Sequence, residues 1–359
     1  MRIGLERKCS LKGGGQMLPA VKPITIWLTI NRACNMCCRW CYARGAKTTN
    51  QEMSFELAQK LVDLVVGVGA KEILLLGGEP TLWPWLLDLN KYCKGRINTT
   101  LVTNTVLFAN DIYWNRYLSQ SNDEIGVSLK ASCEKKFNGV STVTNWETTL
   151  AGIRRALSLT QSGTSFVCSP DDCDIISAAQ LVRSLGGDRL NLNLYTPVCV
   201  GGEWKSDYSW NQIRQVINQI SIQYSKAEKI LKGKLYLNGK FPLCVWPTRF
   251  IEERRAKGQI STGCQLSRRR GLIFDTDGSV LMCNHLQEYP IGKYGVDFVS
   301  PEELLGFLDE KAVKETYDQA SRFPSTKCDG CEDYDFCTGG CPILWTYFNP
   351  EDIIQRERR

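Results

Sequence analysis

The densest chemistry in the chain lies in Cys34-Asn35-Met36-Cys37-Cys38-Arg39-Trp40-Cys41, four thiols within eight residues. Their spacing reads in two ways. Two overlapping C-x2-C pairs would suit a four-thiolate zinc site. Alternatively Cys34, Cys38 and Cys41 form C-x3-C-x2-C, with Cys37 a spare thiol. Three thiolates on one tight loop hold three irons of a cubane cluster and leave the fourth iron open to a ligand. A second group begins at Cys264, continues over thirteen residues to Gly278 and four more to Cys283, and ends in Cys328-x2-Cys331-x5-Cys337-x3-Cys341. Taken alone, its C-x2-C and C-x3-C pairs are also compatible with a zinc knuckle. Four further thiols, Cys133, Cys168, Cys173 and Cys199, are expected at or just beyond strand ends. Each is either a small buried core residue or a thiol on the face where substrate should sit. His285, two residues after Cys283, reads as a neighbour of metal ligands rather than a ligand itself.

The composition narrows these options. The chain has 359 residues, 43% hydrophobic and 23% charged, with a net charge of +6. This fits a folded globular protein and excludes a disordered one. The charge excess permits anionic ligands without pointing to nucleic acid, since acidic and basic residues are interspersed. A single histidine excludes a zinc site built on several imidazoles and any His-dependent triad lacking His285. Arg268-Arg269-Arg270 and the Arg356 to Arg359 run could meet an acidic substrate, but a solvated surface is the simpler expectation. Seventeen cysteines would suit a secreted disulfide scaffold, yet Met1 to Lys22 is polar and Gly-rich and no cleavage site follows the apolar run Ile24 to Ile30. No apolar run approaches the ~20 residues that span a bilayer. The thiols therefore point to metal, iron–sulfur or redox chemistry in a reducing compartment, with the cytoplasm as the expected location and no membrane partner.

Elements must position these residues. Ile24–Ile30, Glu72–Leu76, Thr99–Val106, Ile125–Leu129, Thr164–Cys168 and Arg189–Thr196 read as strands. Helical patterns lie between several of them: Ser54–Val68, with Ser54 as N-cap, Trp146–Leu159 and Ile175–Leu185. This alternation predicts an α/β fold of six parallel β/α units, whose loops after the strands form the functional face. The cysteine loop follows the first strand, and Gly77-Gly78-Glu79-Pro80 follows the second. Past Gly201-Gly202 the rhythm breaks. A helix is expected over Tyr208–Tyr224, a hairpin over Gly271–Cys283 around Asp275-Thr276-Asp277-Gly278, and a helix start at Ser300-Pro301-Glu302-Glu303.

Cys34, Cys38 and Cys41, with Trp40 before the third cysteine and GGEP at Gly77 to Pro80, resemble the radical S-adenosylmethionine enzymes. The C-terminal spacing resembles the SPASM domain that many of those enzymes carry. The resemblance implies a partial (β/α)6 TIM-like barrel over residues 24–200. An N-terminal extension, 1–23, would precede it. A helical connector, 201–243, and a small cysteine-rich SPASM-like domain with a β-hairpin, 244–359, would follow. It implies a [4Fe–4S] cluster on Cys34, Cys38 and Cys41 that binds S-adenosylmethionine. Gly77, Gly78 and Glu79 would hold the methionine amino group, and Ser128 would lie near the ribose or methionine carboxylate. Lys130 stands where relatives carry an acidic residue, and Thr105 replaces the glycine of a Thr-Asn-Gly turn. One or two auxiliary [4Fe–4S] clusters are implied, the first on Cys264, Cys283 and Cys341, the second on Cys328, Cys331 and Cys337. Cys244 is the nearest upstream candidate for a fourth ligand of the first, and no cysteine follows Cys341 to complete the second.

The implied chemistry is reductive cleavage of S-adenosylmethionine to a 5′-deoxyadenosyl radical, which takes a hydrogen atom from the substrate. Auxiliary clusters would remove the electron left behind, giving a net oxidation. The leading expectation is an oxidoreductase that modifies a ribosomally made peptide or protein. The electron donor would be a flavodoxin or ferredoxin. Only about 23 residues precede the first strand, so a separate protein, or binding along the barrel, would have to recognise a leader peptide. The alternative is a dehydrogenase, decarboxylase or rearrangement enzyme for a small molecule. A third reading, from another class, is a zinc-stabilised nucleic-acid-binding protein, which would leave GGEP unexplained.

Overall fold

The computed structural model describes residues 23–44, 51–139, 145–322 and 324–354. Residues 1–22 of the N-terminal extension and the Arg356 to Arg359 run therefore lie outside the described residues. In chain order the first half comprises β1 (Thr25–Asn31), α1 (Phe55–Gly67), β2 (Glu72–Gly77), α2 (Leu86–Cys93), β3 (Asn98–Thr103), α3 (Asp111–Ser119), β4 (Glu124–Leu129), α4 (Glu134–Phe137), α5 (Trp146–Leu157), β5 (Ser162–Cys168), α6 (Ile175–Ser184) and β6 (Leu190–Leu194). There follow β7 (Val198–Val200), β8 (Glu203–Lys205), α7 (Trp210–Ile230), β9 (Leu235–Gly239), α8 (Thr248–Ala256), β10 (Ile260–Thr262), α9 (Gln265–Arg268), β11 (Gly271–Phe274), β12 (Ser279–Leu281) and β13 (Gly292–Lys293). The C-terminal helices are α10 (Pro301–Asp309), α11 (Lys311–Ala320), α12 (Tyr334–Cys337) and α13 (Pro350–Ile353).

The six expected strands pair in sequence order, and each adjacent pair is parallel. They form the middle of one open eleven-stranded sheet, ordered β10-β9-β6-β5-β4-β3-β2-β1-β11-β12-β13. Because these strands are parallel, the loops after all six emerge at one edge, where the cysteine loop and GGEP were expected. The sheet continues beyond residue 200. β9 joins β6 and β10 joins β9, both parallel, while β11 joins β1 on the other side and begins the antiparallel run with β12 and β13. The hairpin around Asp275 to Gly278 is thus part of the same sheet as the cysteine-bearing β1. β9 went unread because its five residues follow a long helix and carry only a short alternation.

Local signals set most boundaries. The Ser54 hydroxyl accepts from Leu57 N at 3.1 Å and caps α1, whose Ala58, Leu61, Val62 and Val65 are fully buried. Ser300 and Glu303 form a reciprocal capping box on α10. Two elements differ from expectation. α7 runs six residues past Tyr224. Its last turns look like a solvated face in sequence, yet Ala227 is buried and Glu228 binds the buried Arg254 guanidinium at 2.8 Å. β3 stops at Thr103, short of Val106, because Asn104 N donates to the Glu79 carboxylate at 2.7 Å and Thr105 turns into the left-handed region at φ +65°.

α5 seals that turn from behind. A Cβ built on Gly152 would lie 2.0 Å from the Thr105 carbonyl oxygen. Helix propensity alone favours alanine over glycine by about 1 kcal/mol. Overpacking against backbone reverses the sign, and Gly152→Ala is expected to destabilise the chain by about 1–3 kcal/mol net. Urea unfolding checks this: a midpoint at or above that of the parent would mean that α5 does not press on the Thr105 turn.

Candidate functional site

The loop after β1 is a folded unit rather than a slack linker. Its thiol-bearing turn closes through Cys41 N donating to Cys38 O and Arg44 N to Cys41 O, each at 3.1 Å. Cys38 is buried in a small apolar cluster with Met36, Ala131, Phe137 and Trp146, and the half-buried Trp40 and Cys41 pack against it. Cys34 and Cys37 are exposed. Although the residue keeps exposed surface, chain packed around its sulfur desolvates it and raises the Cys34 thiol to about 11, with Glu79 and Cys41 adding to the effect. Burial also raises Cys41, followed by the charge of Cys38. Cys34, Cys38 and Cys41 therefore stand within electrostatic reach of one another. Thiols held protonated in this way bind iron only by releasing protons.

Three neighbours fix this loop. Asn104 Nδ2 donates to Asn35 Oδ1 at 2.7 Å, joining the end of β3 to the loop. Tyr42 OH donates to Gly77 O at 3.2 Å. Arg32, almost fully buried, pairs with Asp275 at the hairpin turn and donates to Gln287 Oε1 at 2.9 Å. Gln287 in turn donates to Tyr42 O at 3.3 Å. None of these pairings is legible in the sequence, although Gly77, Asn104 and Asp275 lie in turns that it marks. Arg32 and Asp275 lie 243 positions apart, so no local pattern links them. Asn35 and Tyr42 flank the cysteines and carried only one sequence signal, their position.

The GGEP turn packs directly on this loop. Gly78 N donates to Asn31 O at 2.9 Å, Glu79 N to Ala33 O at 2.7 Å, and Asn31 Nδ2 to Glu79 O at 2.8 Å. A Cβ on Gly77 would meet Asn31 Oδ1 at 2.3 Å, and one on Gly78 would meet Ala33 O at 2.2 Å. The glycines thus let GGEP approach the chain's own cysteine loop, a requirement that holds before any ligand arrives. The buried Glu79 carboxylate accepts from Thr103 Oγ1 (2.5 Å), Thr81 Oγ1 (2.7 Å) and Asn104 N (2.7 Å), so it also ties β2 to β3.

Ser128 lies on β4 and accepts from Lys130 Nζ at 2.7 Å. Burial disfavours the Lys130 charge, but Cys38, Cys34, Cys41 and Glu79 outweigh it and raise its pKa. An ammonium therefore stands beside the thiol trio where relatives are expected to carry a carboxylate.

The C-terminal cysteines gather in two further sets. The Cys283 thiol is pushed up to about 12 by burial and then by Cys341 and Cys264. Cys341 rises to about 11 by burial and then by Cys264. The structure thus brings Cys264, Cys283 and Cys341 together. The Cys328 thiol, pushed up to about 12 by burial, feels Cys337, Cys244 and Cys331. Cys244, the candidate fourth ligand of the Cys264 set in sequence, adds its charge to the rise of the Cys328 thiol. Its turn packs on the α12 loop because β9 leads the chain there, which spacing alone does not show. Among the described residues, no three Cys, His, Asp or Glu side chains converge tightly enough to hold a single metal ion. The cysteine ligands of a cubane sit on separate corners and are spread more widely than those around one ion. The three sets have the donor chemistry that iron–sulfur clusters require.

A bridge joins the first trio to the Cys264 set. The His285 ring lies 5.9 Å from the Tyr42 ring. Its Nδ1 contacts Pro197 O at 3.2 Å, and its Nε2 contacts Thr196 Oγ1 at 3.4 Å. The carbonyl accepts only, so Nδ1 carries the proton and Nε2 accepts from Thr196. Burial, then Lys240, depress the imidazole to about 3. It is neutral at physiological pH, and both of its nitrogens are engaged within the chain.

The remaining thiols differ in setting. Cys168 ends β5 in the main core, Cys199 is buried on β7, Cys173 is half-buried and Cys133 is exposed ahead of α4. Arg269 lies neither on the surface nor at a substrate face. It is buried, pairs with Asp318 and lies over the Tyr317 ring. Exposed ion pairs rim the cysteine loop, Arg39 with Asp171 at 3.1 Å and Arg44 with Asp207 at 2.8 Å. Among the described residues, no helix is long and apolar enough to cross a membrane.

Comparison with known proteins agrees with this geometry. Residues 28–172 match the radical SAM superfamily. A probable GTP 3′,8-cyclase from Saccharolobus islandicus is 25% identical over 306 residues, which span 80% of this chain and 94% of the relative. Native anSMEcpe with bound AdoMet and Cp18Cys peptide superposes with a TM-score of 0.64 at 17% identity, covering 89% of each chain. Streptococcus suis SuiB bound to precursor peptide SuiA superposes with a TM-score of 0.65 at 16% identity, covering 92% of this chain and 74% of that one. Both superpositions extend over most of this chain and show the shared fold.

Proposed function

We propose that this chain, a member of the radical SAM superfamily, oxidises a peptide or protein substrate by removing hydrogen from an unactivated carbon. Cys34, Cys38 and Cys41 would hold the S-adenosylmethionine-binding cluster, which when loaded supplies the hydrogen-abstracting radical. The carbonyls of Gly77 and Gly78 would accept from the methionine ammonium, and Lys130 would offer a cation to its carboxylate. Trp40 and the apolar cluster around Cys38 would keep water from the reacting face.

One observation carries the oxidative part of this reading. The Cys264 set is bound to the radical-site loop through Tyr42 and His285, and through Arg32 with Asp275 and Gln287. Auxiliary clusters on the C-terminal cysteines would give the electron left on the substrate a nearby destination. The peptide reading draws on the two neighbours described above, whose structures contain peptides. A ferredoxin- or flavodoxin-type donor would reduce the first cluster, and a separate recognition protein would deliver a leader peptide.

A second reading is a purine-nucleotide cyclase, favoured by the name of the relative that matches along 94% of its length. Anaerobic turnover separates the two. The reduced enzyme is incubated with S-adenosylmethionine and either GTP or short peptides encoded beside its gene, and 5′-deoxyadenosine is followed together with product mass. The expected result is a peptide that loses two hydrogens, with no change in GTP. Conversion of GTP with hydrogen transfer to 5′-deoxyadenosine would replace the first reading by the second.

A further inference from the structure

Cys244 belongs to neither cysteine motif by spacing. Its place is set by the chain that carries it. After β9 the backbone turns through Lys240 to Pro242 into a single 3-10 turn, Leu243–Val245. Two hydrogen bonds fasten this turn to the C-terminal cysteine loop. Cys341 N donates to Lys240 O at 2.6 Å, and Leu243 N donates to Cys337 Sγ at 3.3 Å. A Cβ on Gly340 would lie 2.8 Å from Pro242 Cδ and 3.0 Å from Lys240 O, so the two backbones are in contact. Cys244 therefore sits one residue from an amide bonded to the sulfur of Cys337. The amide of Cys331 donates to Cys328 O at 3.2 Å, holding the other two thiols of that set on one turn. Backbone N–H donation to a cysteine sulfur is a recurrent feature around iron–sulfur clusters, where it stabilises the charged thiolate.

We propose that Cys244 is the fourth thiolate of the cluster site formed by Cys328, Cys331 and Cys337. The proposal rests on the reading that the C-terminal cysteines hold auxiliary clusters. It replaces the ligand that the motif lacks after Cys341 with one from upstream in the sequence. The chain then holds one auxiliary site with four thiolates and another, on Cys264, Cys283 and Cys341, with three. Each thiol gives up its proton when it binds iron. A site with four thiolates is coordinatively closed and suits electron relay, whereas three thiolates leave one iron able to take another ligand.

The test counts iron and sulfide in a Cys34→Ala, Cys38→Ala, Cys41→Ala background, so that only auxiliary clusters contribute. The background is expected to hold about eight irons after anaerobic reconstitution. A site with four thiolates keeps three after one substitution and should still hold its cubane, whereas a site with three is left with two and should lose it. Cys331→Ala alone is therefore expected to keep about eight irons, Cys264→Ala alone about four, and Cys244→Ala with Cys331→Ala about four. About four irons in Cys331→Ala alone with about eight in Cys264→Ala alone would place Cys244 in the Cys264 site and overturn the proposal, as would about eight irons in Cys244→Ala with Cys331→Ala. A background without iron would sink the auxiliary-cluster reading itself. A second measurement needs no variant to fold. Cys244 is exposed in the polypeptide fold, so iodoacetamide should alkylate it after the clusters are stripped and spare it in the loaded protein. The exposed Cys133 should react in both states. Alkylation of Cys244 at equal rates in both states would overturn the proposal.

Discussion

Cys38→Ala is expected to abolish cleavage of S-adenosylmethionine, a loss of at least about 10³-fold in 5′-deoxyadenosine formation, while iron on the C-terminal cysteines stays in place. Cys38 lies between Cys34 and Cys41 in the trio, and two thiolates cannot hold a cubane open at a single iron. The substitution removes one buried sulfur from a cluster of Met36, Ala131, Phe137 and Trp146. The cost in stability should be only about 1 kcal/mol, so loss of activity would not reflect unfolding. Cys37 supplies the control, being adjacent in sequence but exposed. Cys37→Ala should retain cleavage. The assay follows 5′-deoxyadenosine under reducing anaerobic conditions. Normal cleavage by Cys38→Ala, or its loss in Cys37→Ala, would show that the thiols are grouped wrongly and restore the overlapping C-x2-C reading.

Gly78→Ala is expected to destabilise the chain before any cofactor is bound, by about 3 kcal/mol or more. The added Cβ would sit 2.2 Å from Ala33 O and 2.5 Å from Arg32 O. Both obstacles are backbone atoms, so neither can swing aside like a flexible side chain. Either GGEP or the start of the cysteine loop must shift, and the hydrogen bonds of Gly78 and Glu79 to Asn31 and Ala33 shift with them. Cluster assembly should fail in the same variant. If Gly78 served only the approach of a ligand, the melting temperature of the cluster-free protein would be unchanged. Gly306→Ala is the matched control. It lies within α10 with no atom near the added carbon, and alanine there should raise stability by up to about 1 kcal/mol.

The site was partly legible in the sequence because some of its chemistry is local. Three thiols on one short loop share a site through the stiffness of a few peptide units, whatever the rest of the chain does. The six strands were legible for a similar reason, as β-rich runs between helical patterns. Their ends were less so. β3 stops where the Glu79 carboxylate captures an amide from the next residue, and α7 continues because Glu228 meets Arg254. Both depend on partners far away in sequence.

By itself the sequence determined that several thiols share one loop after the first strand and that GGEP follows the second, the positions on which the family resemblance rests. The tertiary structure alone decided which elements bring the remaining cysteines near one another. The turn that carries Cys244 is fastened to Cys337 because β9 leads it there, and the contact that fixes it, Leu243 with Cys337, spans 94 positions. The Arg32–Asp275 pair, which binds the cysteine loop to the hairpin, spans 243. Such pairings form only when β11 docks beside β1 and β9 beside β6. Strand docking is specified by the whole apolar sheet rather than by the residues it brings together.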